Sequence, residues 1–169
     1  MAMAVDLLVE VPKGERNKYE WDHRHGRIRL DRRLAGSVHF PGDYGFVLDT
    51  WAEDGDPLDA LLVLSEPTFP GCLVSARVVG CFYMEDGGVP DNKIVAVPAF
   101  DPARDHVREL ANVPPHLLDE MSSFFATYKD LEEGQRTEVW GFGTRQEAEE
   151  LIEQDRQRYA QLRERPRMP

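Results

Sequence analysis

Cysteine is scarce in this 169-residue chain, which has only Cys72 and Cys81, each inside apolar, strand-like sequence. Both read as small buried hydrophobes. A structural disulfide is not expected, and a reducing, cytoplasmic setting is. Basic residues are the minority, 20 Lys and Arg against 31 Asp and Glu, for a net charge of −11. That balance argues against a general nucleic-acid binder, which needs a basic face to displace counterions from phosphates. An anionic substrate stays possible, because bound metal ions invert the local sign of an acidic site. Long apolar runs are missing: no stretch approaches the ~20 residues of a membrane span. Met1 to Val11 has neither a basic lead nor a long apolar core, so no secretory signal is expected. No G-x-x-x-x-G-K-[ST] loop occurs, which argues against an NTPase of that type. Repeats, linkers and low-complexity tracts are absent too. One domain over residues 1–169 is expected, with a frayed tail from 163.

Carboxylates, by contrast, are concentrated. Glu53-Asp54-Gly55-Asp56-Pro57-Leu58-Asp59 stands directly before the apolar run Ala60 to Leu64. The Gly and Pro predict a tight turn, and the run predicts a strand that gives the turn a rigid base. Carboxylates crowded in this way repel one another. They require a cation between them or raised pKa values, and hard divalent ions suit an all-oxygen set. The competing reading is an ordinary surface turn, since Asp, Gly and Pro are common there. A calcium loop of the EF-hand type fails on detail: counted from Asp54, position 6 is Asp59 where glycine belongs and position 12 is Ser65 where glutamate belongs.

Along the chain, Val5 to Val11 reads as a strand in which Glu10 stands among apolar neighbours. It needs a partner if buried, and faces outward otherwise. Lys18 and Glu20 fall on one face of a second extended segment, as site residues or as a solvated ion pair. His23-Arg24-His25-Gly26 predicts a hairpin turn leading to a strand over Arg27 to Asp31. The two histidines read as metal ligands or, lacking a third nearby, as solvent-facing turn residues. Phe40 to Phe46 predicts an aromatic turn carrying Tyr44, whose side chain reads equally as a cleft hydroxyl or a core ring. Cys72 to Phe82 predicts a long strand kinked near Gly80. Met84 to Lys93 is a second acidic loop, with Glu85, Asp86 and Asp91, ahead of a strand over Ile94 to Val97. Two such loops on adjacent strands can close one multi-metal site. From Pro114 the period becomes helical: Leu117, Leu118, Met121, Phe124, Phe125 and Tyr128 trace one face, and Lys129 follows at the helix end. Arg136 to Phe142 predicts a last strand. Thr144 and Glu147 form a capping box for a second helix, with Ala148, Leu151, Ile152, Asp155, Tyr159 and Leu162 near one face.

Strands first and helices after predict an α+β, mainly β fold built on a small antiparallel barrel. Scattered carboxylates (Glu10, Glu20, Asp54, Asp56, Asp59, Asp86, Asp91) face scattered bases (Lys18, Arg32, Lys93, Lys129). That mixture suits phosphoryl chemistry, in which metals and cations share the charge of phosphate oxygens and a metal-activated water attacks. No side-chain nucleophile stands out.

The ordered set of motifs is more specific than any one of them. Asp54 to Asp59 resembles the D-G-D-P-x-D signature of soluble family I inorganic pyrophosphatases of bacterial type. V-E-V-P with Glu10, N-K-Y-E with Lys18 and Glu20, L-D-R with Arg32, and D-Y-G-F with Tyr44 also match. So do Asp86, the D-N-K of Asp91 and Lys93, V-A-V-P, and F-F-x-x-Y-K-D-L-E with Tyr128 and Lys129. The resemblance implies an OB-like five-stranded barrel with two flanking C-terminal helices, and hydrolysis of pyrophosphate with magnesium, manganese or zinc being substitutes. It implies Asp54, Asp59 and Asp91 as ligands of the central metals, Asp86 with Asp91 on another, and Glu10 and Glu20 at or near them. Asp56 is implied as the base that deprotonates water, with Asp91 as the competing candidate. Lys18, Arg32, Tyr44, Tyr128 and Lys129 would grip phosphate oxygens, supported by Lys93. A homo-oligomer, with a hexamer favoured, is also implied. Phe40 and Gly87 depart from the family's frequent tyrosine and glutamate, which removes one hydroxyl and one outer acid but no inner ligand.

Overall fold

The computed structural model describes residues 1–164. Its strands in chain order are β1 (Ala4–Val11), β2 (Asn17–Asp22), β3 (Arg27–Arg33), β4 (Asp43–Val47) and β5 (Asp59–Leu62). The long β6 (Leu73–Asp86), the short β7 (Val89–Pro90) and β8 (Lys93–Pro98) follow. Then come α1 (Pro115–Thr127), β9 (Thr137–Gly143) and α2 (Arg145–Glu164). Two single-turn helices at 102–104 and 110–112 lie in the connection before α1, and the sequence carried no periodic signal for them.

Five strands close a barrel in the order β1-β4-β5-β8-β6, with β6 returning to pair with β1. This is the OB-like core, flanked by the hairpin β2–β3, by β9 on the outer part of β6, and by the two helices. The barrel is mixed where an antiparallel one was expected. At one junction β5 and β8 run parallel, with Ala60 opposite Ile94. Parallel neighbours need a crossover, and β6 with its flanking turns supplies it. The consequence is local: both strands start at the same end of the barrel, so the acidic turns before them arrive side by side.

β1 shows the alternation expected of it, burying Val5, Leu7 and Val9. β6 breaks register between Val78 and Gly80, at the expected kink. Tyr44 differs from expectation: Asp43 to Val47 is a fully buried strand, and the bend stops before it. The reason lies in Gly45, where a Cβ would sit 1.9 Å from the Leu8 carbonyl oxygen. The glycine serves close strand approach, not a turn.

α1 buries Met121, Phe124 and Phe125 in an aromatic cluster with Phe40, Phe82 and Tyr128. The centroids of Phe40 and Phe124 are 4.7 Å apart, so phenylalanine at 40 is a core ring. α2 packs Ala148 and Ile152 against a second cluster containing Leu7, Leu62, Val78 and Ile94. Its cap forms as expected: Thr144 N–H and Oγ1 donate to Glu147 Oε2 at 2.7 and 2.8 Å. The helix runs on through Glu164, past the point where fraying was expected, and leaves Leu162 39% exposed. The rest of the expected tail, 165–169, lies outside the described residues. No helix among the described residues is long and apolar enough to cross a membrane.

Candidate active site

Glu10 shows how the barrel makes a site. Strand alternation alone would place it on the face opposite Val9, but the β1–β4 register shifts between Val9 and Val11. At that irregularity Glu10 is 9% exposed, with its Oε2 accepting the Trp21 N–H at 2.6 Å. That bond ties β1 to the β2–β3 hairpin. Burial pushes the Glu10 carboxyl up to about 8, helped by repulsion from Asp59 and Glu20 and opposed by Trp21 and Lys18. The outward-facing alternative is thereby excluded.

Glu10 lines a cleft of about 240 Å³ at the barrel end where β5 and β8 begin. Lys18 and Glu20 enter from β2, Tyr44 from β4, and Asp54 and Asp56 from the turn before β5. Asp59 opens β5, Asp86 ends β6, Asp91 precedes β8, and Tyr128 and Lys129 close the wall from the end of α1. Trp21, His23, Phe46 and Pro57 also line it. Of these, His23 reads from sequence as a metal ligand or a solvent-facing turn residue; its ring stands 6.1 Å from Phe46, centroid to centroid. His39 lies elsewhere, in a separate groove with His116.

The carboxylates crowd one another. Burial, then repulsion from Asp91 and Asp59, lifts Asp54 to about 6, against a hydrogen bond from Asp56 N–H. Asp56 is raised by burial, with Asp59 and Glu20 adding and His23 opposing. The Tyr44 hydroxyl donates to Asp59 Oδ2 at 2.6 Å. Burial and the nearby Asp59 and Asp91 hold this phenol well above its usual range, so it stays a donor. Tyr128 is raised as well, by burial first.

The lysines are engaged within the protein. Lys18 pairs with Glu20, and Lys129 with Asp86. Lys93 and Arg32 are placed differently from the rest, outside the cleft wall. Lys93, 1% exposed, lies beneath it and donates to Asp59 Oδ2 at 2.7 Å and Asp91 Oδ1 at 2.5 Å. Burial works against its charge, but the two aspartates outweigh it and the net shift is upward. Arg32 makes a bidentate pair with Glu132, at 2.8 and 2.9 Å. Glu132 had no sequence signal as its partner, being 100 residues away.

The inorganic pyrophosphatase family profile matches residues 7–160. The chain belongs to that family. It is therefore an inorganic diphosphatase, a hydrolase. Relatives named inorganic pyrophosphatase include one from Streptomyces coelicolor, 50% identical over 157 residues, covering 93% of this chain and 96% of the relative. One from Halalkalibacterium halodurans is 45% identical over 92% of this chain and 94% of its own. The Thermus thermophilus pyrophosphatase structure superposes with a TM-score of 0.91 at 43% identity, covering 93% of this chain and 91% of that one.

For a pyrophosphatase of this family the donor set can be tested against a metal. Among the described residues, no three His, Cys, Asp or Glu side chains form a ready-made cage. Lysine ammoniums occupy part of the field instead. They do not satisfy it, since Glu10 and Asp54 stay shifted upward by burial and by their neighbours. Carboxylate oxygens left in excess of local cations are the donor chemistry of hard divalent ions. The residues fit.

Proposed function

We propose that the chain hydrolyses inorganic pyrophosphate to two phosphates by magnesium-dependent attack of water, with no covalent intermediate. What supports this is the convergence, on one cleft, of carboxylates from β1, β2, β6 and both acidic turns with lysines and phenols that can hold phosphate. Asp54, Asp59 and Asp91 would hold the central ions, Asp86 with Asp91 another, and Glu10 and Glu20 would act beside them. Bound magnesium supplies charge neutralisation for phosphate oxygens and lowers the pKa of water; manganese or zinc are substitutes of the same kind.

Asp56 takes the proton of the attacking water. Its carboxylate has no hydrogen-bond acceptor role among the described residues, whereas Asp91, the other candidate, already accepts the Lys93 ammonium. A raised pKa suits a base that works near neutrality. Lys18 and Lys129 exchange their carboxylate partners for phosphate oxygens, and Tyr44 and Tyr128 donate hydroxyl hydrogen bonds. Arg32 reaches substrate by letting go of Glu132. Lys93 acts from below, holding Asp59 and Asp91 in place. One domain over 1–169, a cytoplasmic setting, and no nucleic-acid or membrane partner belong to the same proposal. So does a homohexamer, for which exposed Phe69, Leu73 and Trp140 offer apolar surface.

The test is phosphate release from pyrophosphate across magnesium, manganese, zinc, calcium and chelator. Release with magnesium and none with chelator is expected; release in chelator would overturn the metal requirement.

A further inference from the structure

The turn that carries Asp54 and Asp56 is held from within by short-range hydrogen bonds. Its base is closed by Thr50, 1% exposed, whose Oγ1 donates to the Val47 carbonyl at 2.6 Å and accepts the Leu58 N–H at 3.0 Å. Within it, Ala52 N–H donates to Asp56 O at 2.7 Å, Gly55 N–H to Ala52 O at 3.2 Å and Asp56 N–H to Asp54 Oδ1 at 3.2 Å. Asp49, just before, is exposed and sits at a φ of 57°, a left-handed conformation that aspartate adopts more readily than most non-glycine residues. The outer half of the turn is exposed. Catalytic aspartates on such a segment need a second support.

α2 provides a contact of the right kind. The Trp51 N–H donates to the Asp155 main-chain oxygen at 3.0 Å, and Arg158 Nη1 donates to the Trp51 carbonyl at 2.8 Å. Both polar groups of one turn peptide residue are thus taken by the helix. Arg158 is itself aimed by the Asp155 carboxylate, which is buried, and its Nη2 lies 3.8 Å from Glu53 Oε1. The same stretch of α2 faces the second acidic loop, across a cavity of about 40 Å³ bordered by Leu58, Pro90 and Asn92. Helix, first turn and second loop meet at one place.

We infer that Arg158, oriented by Asp155, is a positioning residue for the reaction: it clamps the Trp51 peptide and so sets where Asp54 and Asp56 stand in the cleft. It touches no substrate. The inference rests on the proposed hydrolysis for its kinetic consequence, but its structural half stands apart from activity. The side chains proposed to hold substrate, Lys18, Arg32, Tyr44, Tyr128 and Lys129, lie on other elements. Loss of the clamp therefore lowers turnover without weakening substrate capture. Displacements of about 1 Å in a reacting constellation reduce rates by up to the order of 100-fold.

The experiment compares wild type with Arg158→Met and Arg158→Lys, by amide hydrogen exchange and by steady-state kinetics with magnesium. Exchange at residues 51–56 is expected to speed up about ten-fold or more in Arg158→Met while β1 and β4 stay protected. At saturating magnesium its kcat is expected to fall by the order of 10- to 100-fold with KM for pyrophosphate unchanged. Arg158→Lys, which keeps a donor for the Trp51 carbonyl, should recover part of both. Unchanged exchange in the turn, or unchanged kcat alongside faster exchange, would overturn the assignment, as would exchange that rises uniformly over the barrel. A wild-type protein that releases no phosphate would count against the proposed function, and the exchange result would still decide whether the clamp exists.

Discussion

Lys93 places its ammonium 2.7 Å from Asp59 Oδ2, almost wholly out of water. The same oxygen accepts the Tyr44 hydroxyl, so one carboxylate atom joins β4, β5 and β8. A lysine so placed positions acids more readily than it meets substrate. Replacing it with methionine leaves Asp59 and Asp91 crowded with no internal cation. Breaking a buried pair from one side costs about 3 kcal/mol or more, which urea unfolding of Lys93→Met without divalent metal should show. Magnesium should then stabilise the variant more than it stabilises wild type, measured as the rise in Tm.

Asp56→Asn separates the base from the fold. Its side chain accepts no described hydrogen bond and lies on a partly exposed turn beside repelling carboxylates, so circular dichroism should be unchanged and Tm should not fall. Turnover should drop by roughly 10²–10⁴, the usual worth of a positioned base. Normal turnover would move the role to Asp91.

Glu147 makes a pH-dependent contribution that is independent of the cleft. Hydrogen bonds from Thr144 N–H and hydroxyl hold its carboxyl below the ordinary 4.5. A folded-state pKa that is lowered contributes stability above the unfolded value, and this is lost as pH falls through the folded one. Wild type should therefore melt above Glu147→Gln at neutral pH. The two curves should converge as pH falls below 4.5, because protonated glutamate and glutamine then present the same cap.

Gly45→Ala tests the close approach of β1 and β4. The added carbon would lie 1.9 Å from Leu8 O and 2.8 Å from its carbonyl carbon, both backbone atoms. Neither can move without breaking the ladder, so a loss above about 4 kcal/mol is expected. Circular dichroism and the yield of soluble protein would report it.

Much of the site could be read from local sequence because its pieces are local. The Gly and Pro of residues 54–59 make a turn, Thr144 and Glu147 cap a helix, and the face from Met121 to Tyr128 follows helical period. Tyr44 was harder, because a Gly-rich aromatic stretch looks alike whether its glycine makes a bend or admits a neighbouring strand. The small helices at 102–104 and 110–112 leave no periodic signal because each is one turn long; what holds them is local, the Asp101 cap on Ala103 N–H and the pairing of Glu109 with Asn112.

The sequence alone determined which chemistry is available: an excess of carboxylate oxygens, few competing ligands, and the motif order of a pyrophosphatase. Only the tertiary structure decided their arrangement. Parallel pairing of β5 with β8 brings Asp59 and Asp91 to one end of the barrel, and a 1% exposed lysine fits between them. Arg32 finds Glu132 and Trp51 finds Arg158, each more than 90 residues away. Residue type and spacing record short-range preferences of backbone and side chain. Pairings across that much chain follow from which strands and helices can bury their apolar faces together, and that is settled only when the whole barrel closes.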